Sequence, residues 1–284
     1  MLRLLNPRKS YRHAAPGGRS SSGWFGSMPL RRAVVGFAAA FATAVSPSTG
    51  FATGAAAGDT GKSPPTVSAV VELFTSQGCS SCPPADKLFE MYVNRPDIVA
   101  LSLPVDYWDY LGWKDTLASA RNTERQRAYA KARGDGAVYT PQVVVNGMAH
   151  AVGSDASQIE RQIAKTSMEF ARRQVPMRFT RLSSVIVVEA GRAPPDVKIA
   201  NATIWLAAVQ AVAEIEIARG ENHGRTIRYF NVVHELSPVG TWNGEPLTIR
   251  LAAQSVMMPG KTRYAVLMQE GAAGPIVGAA WLGY

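Results

Sequence analysis

Two cysteines constrain this chain more than any other feature. Cys79 and Cys82 stand three residues apart, where an apolar run gives way to a pair of prolines. Val67–Thr75 (VSAVVELFT) is apolar and β-branched and predicts a buried strand. Pro83–Val93 predicts a helix with prolines in its first turn, where a missing N–H costs least. A thiol at such a strand-to-helix turn faces unpaired N–H groups and the positive end of the helix dipole. Both favour thiolate over thiol and so lower the pKa expected of Cys79. That thiolate can attack a partner disulfide, and Cys82, one turn on, can resolve the mixed disulfide. Ser80 and Ser81 are placed to donate hydrogen bonds to the sulfur.

The same spacing admits a static Cys79–Cys82 disulfide, or half of a zinc or copper site. Zinc takes about four ligands, and the chain has 2 cysteines in all. Beyond the N-terminal region the histidines are His150, His223 and His234, with no ligand spacing among them. The expectation is therefore a disulfide-forming pair with no metal and no cofactor. A copper chaperone remains open through the softness of the thiolates.

Charge decides where such a pair would work. The chain of 284 residues carries a formal charge of +9. Residues 1–57 hold seven Lys or Arg and no Asp or Glu, which leaves 23 basic against 21 acidic residues for the remainder. A near-neutral body is no electrostatic footprint for nucleic acid, so none is expected as a partner. The basic N-terminus reads as targeting sequence. Arg31 and Arg32 precede an apolar run from Ala33 to Val45, followed by small residues ending Ala55-Ala56-Ala57-Gly58. A basic stretch, a short apolar stretch and an A-x-A-like site describe a secretory signal, with Met28 a natural start. The run is shorter than the roughly 20 residues of a spanning helix, so no stable membrane span is expected after processing. The expected location is periplasmic or secreted, where disulfides persist.

Gly58–Pro65 is a linker by composition. Beyond the first strand and helix, Ile98–Pro104 predicts a second buried strand, and Thr116–Arg133 a charged helix. Gln142–Val145 predicts a short strand, Asn146-Gly147 a tight turn, and Met148–Val152 the return strand. Asp155–Arg173 predicts a helix capped near Ser154 or Asp155. The order over residues 66–174 is β-α-β-α-β-β-α. From Val175 a period of two dominates: Val185–Glu189, Asn201–Ala207, Ala213–Ala218, Thr226–Val232, Leu247–Leu251 and Tyr264–Met268. Short strands at this spacing predict a separate all-β, sandwich-like domain over 175–284.

Tyr139-Thr140-Pro141 stands directly before the third strand. With the C-x-x-C turn and the late hairpin, it gives the chain its resemblance to the thioredoxin superfamily. The resemblance implies an α/β thioredoxin-like domain over 66–174 and a cis-proline at Pro141. It implies that Thr140 and Pro141 face Cys79 and that their backbone pairs with an extended substrate segment. It also implies a buried acid near the end of the first strand, Glu72, able to shuttle a proton to Cys82. A narrower resemblance covers nearly the whole mature chain. VELFTSQGCSSCPPAD, VDYWDYLGWKD, RGENHGRTIRYFNVV and GPIVGAAWLGY are similar to the exported family called domain of unknown function 1223.

Trp108, Tyr110 and Trp113 cluster with Asp106, Asp109 and Asp115. They form either a rim that grips a partner, with Trp108 and Tyr139 touching substrate, or packing for the segment before the second helix. Glu221-Asn222-His223-Gly224 and His234 are polar points that touch a ligand or simply belong to a hairpin. The expected activity is thiol–disulfide exchange with the thiols and disulfides of exported proteins, recycled by an unidentified redox partner. The alternative is a binding or assembly module with a permanent disulfide.

Overall fold

The computed structural model describes residues 66–199 and 201–282. The expected targeting region, 1–57, and linker, 58–65, lie outside the described residues. Strand β1 (Ala69–Thr75) is buried along its whole length, as an unbroken apolar run requires when both faces of a sheet are covered. Helix α1 (Pro83–Val93) connects it to the parallel strand β2 (Ile98–Pro104), with Ala69 opposite Ile98. Helix α2 (Ala120–Arg133) leads to β3 (Gln142–Val145), which runs antiparallel to β1, and then to β4 (Ala149–Val152). Asn146 and Gly147 turn β3 into β4 with positive φ at both residues. A Cβ on Gly147 would lie 2.5 Å from the Gly274 carbonyl oxygen, so this turn also needs glycine for space. Helix α3 (Ala156–Arg173) follows, capped by Asp155, which accepts a bond from the Gln158 N–H at 2.9 Å. Helix α2 begins at residue 120 rather than 116. Ser119 is its N-cap and accepts from the Arg121 N–H, while Asp115 holds the preceding turn through the Leu117 N–H.

The second half contributes β5 (Met177–Leu182), β6 (Val185–Ala190), β7 (Ala202–Glu216), β8 (Thr226–Trp242), β9 (Leu247–Ala252), a short helix α4 (Ala253–Val256), β10 (Arg263–Glu270) and β11 (Ile276–Trp281). The sequence pattern anticipates neither β5 nor β11. It divides β7 into two strands, although Ala208–Val212 between them contains no turn former. β8 runs on through Pro238, beside a bulge that leaves Val239 without a partner on β7, the kind of irregularity at which a strand tolerates proline.

These strands do not make a separate sandwich. One eight-stranded mixed sheet runs in the order β11-β10-β7-β8-β2-β1-β3-β4. The expected all-β domain therefore supplies half of a sheet begun by the first half, and the described residues form one compact unit. The reason is the free edge of β2. β8 takes it in parallel, with Ser102 opposite Val232, and the Asn231 amide donates to the Ala100 carbonyl at 2.9 Å. Only the three-stranded sheet β5-β6-β9 packs face to face in sandwich fashion. It sets Phe179, Ile186 and Val188 against Ile204, Leu206, Val266 and Val277.

Two further clusters flank β1. Phe89 and Tyr92 of α1 and Ile159 and Ile163 of α3 pack on Val71, Leu73 and Val143. On the other face Tyr129 of α2 meets Val70 and Phe74 together with Ala207 and Leu267 of the second half. A fourth cluster anchors the end of the β7–β8 hairpin. Ala213, Ile217, Ile227 and Tyr229 pack with Leu117 and Trp113 from the segment between β2 and α2. That packing carries the hairpin tip to the turn between β1 and α1. Among the described residues, no helix is long and apolar enough to cross a membrane.

Candidate redox site

Cys79 and Cys82 are joined in a disulfide, with their Cα atoms 5.4 Å apart. They occupy the turn that links β1 to α1, and Cys82 is the residue that caps the helix. Cys79 is 1% exposed and Cys82 is fully buried, whereas Ser80 and Ser81 between them face solvent. The Ser81 hydroxyl lies 3.4 Å from the Cys79 sulfur and 3.5 Å from the Thr140 carbonyl. Gly78 precedes the pair. A Cβ there would lie 3.0 Å from the Cβ of Trp108, so the close seat of that tryptophan depends on glycine.

The turn is held from three directions. From the segment before α2, the Asp115 carboxylate accepts from the Gln77 N–H at 2.7 Å, and the Trp113 indole donates to the Gln77 side-chain oxygen at 2.8 Å. From the β7–β8 hairpin, the buried Asn222 amide donates to both the Gln77 and Cys79 carbonyls, each at 2.9 Å. Glu221 accepts from the Ser80 N–H at 3.3 Å. Glu221-Asn222-His223-Gly224 is the turn of the β7–β8 hairpin, and within it Asn222 and Glu221 bond the cysteine turn. His223 is exposed, and His234 bonds Gln210 on the adjacent strand at 2.8 Å.

From the third direction come Thr140 and Pro141. Their peptide bond is cis, and Pro141 is buried. The Thr140 hydroxyl accepts from the Trp108 indole at 2.7 Å, which ties the aromatic segment to this loop. Tyr110 stacks on Trp108 and is 77% exposed, the most solvent-facing aromatic of the rim. Tyr139 turns elsewhere. Its hydroxyl bonds Nδ1 of His150 at 2.8 Å, and His150 lies 3.4 Å from Asp135 at the exposed end of α2. Cys79, Cys82, Thr140, Pro141 and Trp108 are thus brought together, while Tyr139 joins through its backbone alone.

Glu72 is buried and has two partners, both from α2. Arg125 donates to its two oxygens at 2.7 and 3.3 Å, and Tyr129 donates to one of them. Arg125 and Tyr129 are bonded in turn to Gln269 of β10. Burial opposes the Arg125 charge, but Glu72 and Tyr129 outweigh it and push its pKa up.

Asp86 is the buried carboxyl beside the cysteines. It lies one helical turn beyond Cys82, its N–H donates to the Cys82 carbonyl at 3.1 Å, and residues spaced i, i+4 share a helix face. Thr75 donates to one of its oxygens at 2.7 Å, and the other has no hydrogen-bond partner among the described residues. Burial pushes its pKa up to about 8, against the Thr75 bond and with the help of the Asp115 charge. Asp115 is itself raised by burial, and burial with both carboxyls pushes the Tyr229 phenol far up. Sequence reasoning passed over Asp86, though it stands inside the motif VELFTSQGCSSCPPAD. Its spacing from Cys82 was the available signal. Among the described residues, no group of three His, Cys, Asp or Glu is placed to hold a metal ion.

A family model described as a protein of unknown function (DUF1223) matches residues 70–269. A crystal structure of a protein from Agrobacterium tumefaciens is 36% identical, with a TM-score of 0.67, and the match covers 76% of this chain and 94% of that one. HBP35 of Porphyromonas gingivalis is 12% identical with a TM-score of 0.52, covering 76% of this chain and 75% of its own, a likeness of fold alone. No curated protein matches.

Proposed function

The chain belongs to the family of unknown function DUF1223, and from that premise we propose that it is a thiol–disulfide oxidoreductase of exported proteins, built on a thioredoxin-like scaffold. The scaffold reading is supported by the element order β1-α1-β2-α2-β3-β4-α3, with β1 central between parallel β2 and antiparallel β3. The exchange reading is carried by one observation. The Cys79–Cys82 disulfide sits at the strand-to-helix turn against Thr140 and Pro141, with an ionisable carboxyl, Asp86, one turn behind Cys82. Export rests on the basic and apolar N-terminal sequence.

In the reduced protein the Cys79 thiolate attacks a partner disulfide. A bond forms between Cys79 and one partner sulfur, and the other partner sulfur leaves as thiolate. Cys82 then loses its proton, attacks Cys79, and releases the second partner thiolate as the intramolecular disulfide re-forms. In its ionised form, a carboxyl with a pKa of about 8 is matched to a thiol near 8.5 and accepts that proton at little cost. Asp86 takes the role that the resemblance assigned to Glu72, whose oxygens are engaged by Arg125 and Tyr129.

The test uses the full chain after reduction. It should exchange with a disulfide-bonded model peptide, and Cys82→Ala should accumulate a Cys79–peptide mixed disulfide. Failure of the reduced wild-type chain to exchange would sink the proposal. A second reading, a permanent structural disulfide, is favoured by the near-complete burial of both sulfurs. It requires that native, folded protein resist dithiol reductants until it unfolds.

A further inference from the structure

The Ser81 hydroxyl lies 3.4 Å from the Cys79 sulfur, but the backbone donors of the helix start are absent or engaged elsewhere. The first four N–H groups of an α-helix have no partner within the helix. Here the first two positions are Pro83 and Pro84, which have no N–H at all. The next two, Ala85 and Asp86, both donate to the Cys82 carbonyl, at 2.8 and 3.1 Å. The Cys82 N–H donates to the Cys79 carbonyl at 3.2 Å. The N–H of Ser80, next to the nucleophile, is taken by the Glu221 carboxylate.

Charge points the same way. Among the described residues no Lys, Arg or His is hydrogen-bonded to residues 76–82, although a neighbouring cation is the usual device for activating a cysteine. The carboxyls around the turn are Glu221 from the β7–β8 hairpin, Asp86 on α1, and Asp115 with its neighbour Asp109 from the segment before α2. The cation bonded into this network is Arg225, which donates to the Asn222 side-chain oxygen at 3.2 Å. Of these carboxyls, Glu221 is exposed and bonded to the residue directly after Cys79. It can be changed without opening the core.

We propose that Glu221, reaching in from the second half of the chain, withholds the Ser80 N–H from Cys79 and so sets the dithiol on the electron-donating side of exchange. A poorly stabilised thiolate makes the reduced pair less stable relative to the disulfide, and a couple so poised gives up electrons. The β7–β8 hairpin then has a chemical task beyond closing the sheet. The pair hands two electrons to a partner disulfide, which becomes two thiols, while Cys79 and Cys82 become the disulfide. A separate dithiol donor must return those electrons. This rests on the exchange reading, because poise matters only for a pair that turns over.

The experiment compares the reduced full chain with Glu221→Gln and Glu221→Ala. Thiolate absorbance against pH gives the Cys79 ionisation, and equilibration with dithiothreitol and with glutathione gives the poise. Removing the charge should raise the thiolate fraction at neutral pH by about threefold to tenfold, and at a pH above the thiol pKa of both proteins it should make the pair easier to reduce by the same factor, roughly 15–30 mV. High salt should shrink the difference, since the charge is exposed. The wild-type disulfide should stay oxidised in millimolar reduced glutathione yet yield to dithiothreitol. Equal ionisation and poise in all three proteins overturns the assignment, and so does ready reduction of the wild type by micromolar glutathione. Neither readout needs a protein partner. A failure of peptide exchange with these shifts intact would therefore strike only the exchange reading.

Discussion

Two buried carboxylates lie on either side of the same sheet, and they are handled in opposite ways. Glu72 on β1 meets a guanidinium, a phenol and, through them, an amide from β10. Asp86 on α1 meets a threonine hydroxyl, a second carboxyl and a tyrosine whose hydroxyl has no partner among the described residues. The first acid has a counter-charge and ties α2 to both halves of the molecule. The second has none, so burial lifts its pKa into the range where thiols titrate. Burial by itself therefore does not mark a functional carboxyl. What separates the two is the compensating cation that Glu72 has and Asp86 lacks among its hydrogen-bond partners.

Matching amide substitutions separate the two. Glu72→Gln leaves the Arg125 charge buried without its partner, and breaking a buried pair in this way costs about 3–5 kcal/mol. Urea unfolding at neutral pH should show a loss of that size. A loss below about 1 kcal/mol would mean that the pair is an ornament of the fold rather than a tie across it.

Asp86→Asn should act in the other direction, by an amount that grows as pH rises from about 4 to about 8. The folded-state pKa of about 8 lies above the unfolded value of 3.8. The folded form therefore holds a proton that the unfolded form releases. The stability that goes with it is complete below about pH 4 and is lost as pH rises to about 8. Asparagine has no proton to lose. Between about pH 5 and pH 9 the variant should gain a few kcal/mol on the wild type, discounted to roughly 2–3 for relaxation of the site. The pH profile of mixed-disulfide resolution should also change, because only the thiol then titrates near 8. A parallel pH profile for both proteins would remove Asp86 from the proton path.

Much of the frame was legible from local pattern. The C-x-x-C turn, the proline-led helix, the Asn146-Gly147 hairpin and the helix capped by Asp155 are all signalled by residues within a few positions of one another. The joining of the halves was not. β8 docks on β2 through Ser102 and Val232, two positions far apart in sequence, and nothing in either strand advertises an unpaired edge. The site shows the same division. Cys79, Cys82, Thr140 and Pro141 announce themselves by type and spacing. Asp86 does not, because a helical aspartate is ordinarily solvent-facing. Its character comes first from burial and then from the charge of Asp115, which arrives from the segment before α2, and no spacing rule announces either. Glu72 carried the wrong promise for a related reason. Its neighbour Arg125 arrives from α2, and no spacing rule links residues 72 and 125.

The smallest test uses one substitution, tyrosine to phenylalanine, in each cluster. The Tyr129 hydroxyl donates to Glu72 and accepts from Arg125 at 2.8 Å and Gln269 at 2.9 Å. Removing it strands two buried donors, and Tyr129→Phe should cost about 1–3 kcal/mol. The Tyr229 hydroxyl is buried without a bond to any described residue, so its removal forfeits no interaction and relieves a desolvated polar group. Tyr229→Phe should be neutral or stabilising by up to about 1 kcal/mol. Paired melting curves read the contrast directly. Equal losses in both variants would show the Tyr229 hydroxyl to be bonded in solution, through water or to Asp86 itself. In that case the acid beneath the cysteines would have a partner after all, and the contrast between the two carboxylates would narrow to the charge of Arg125.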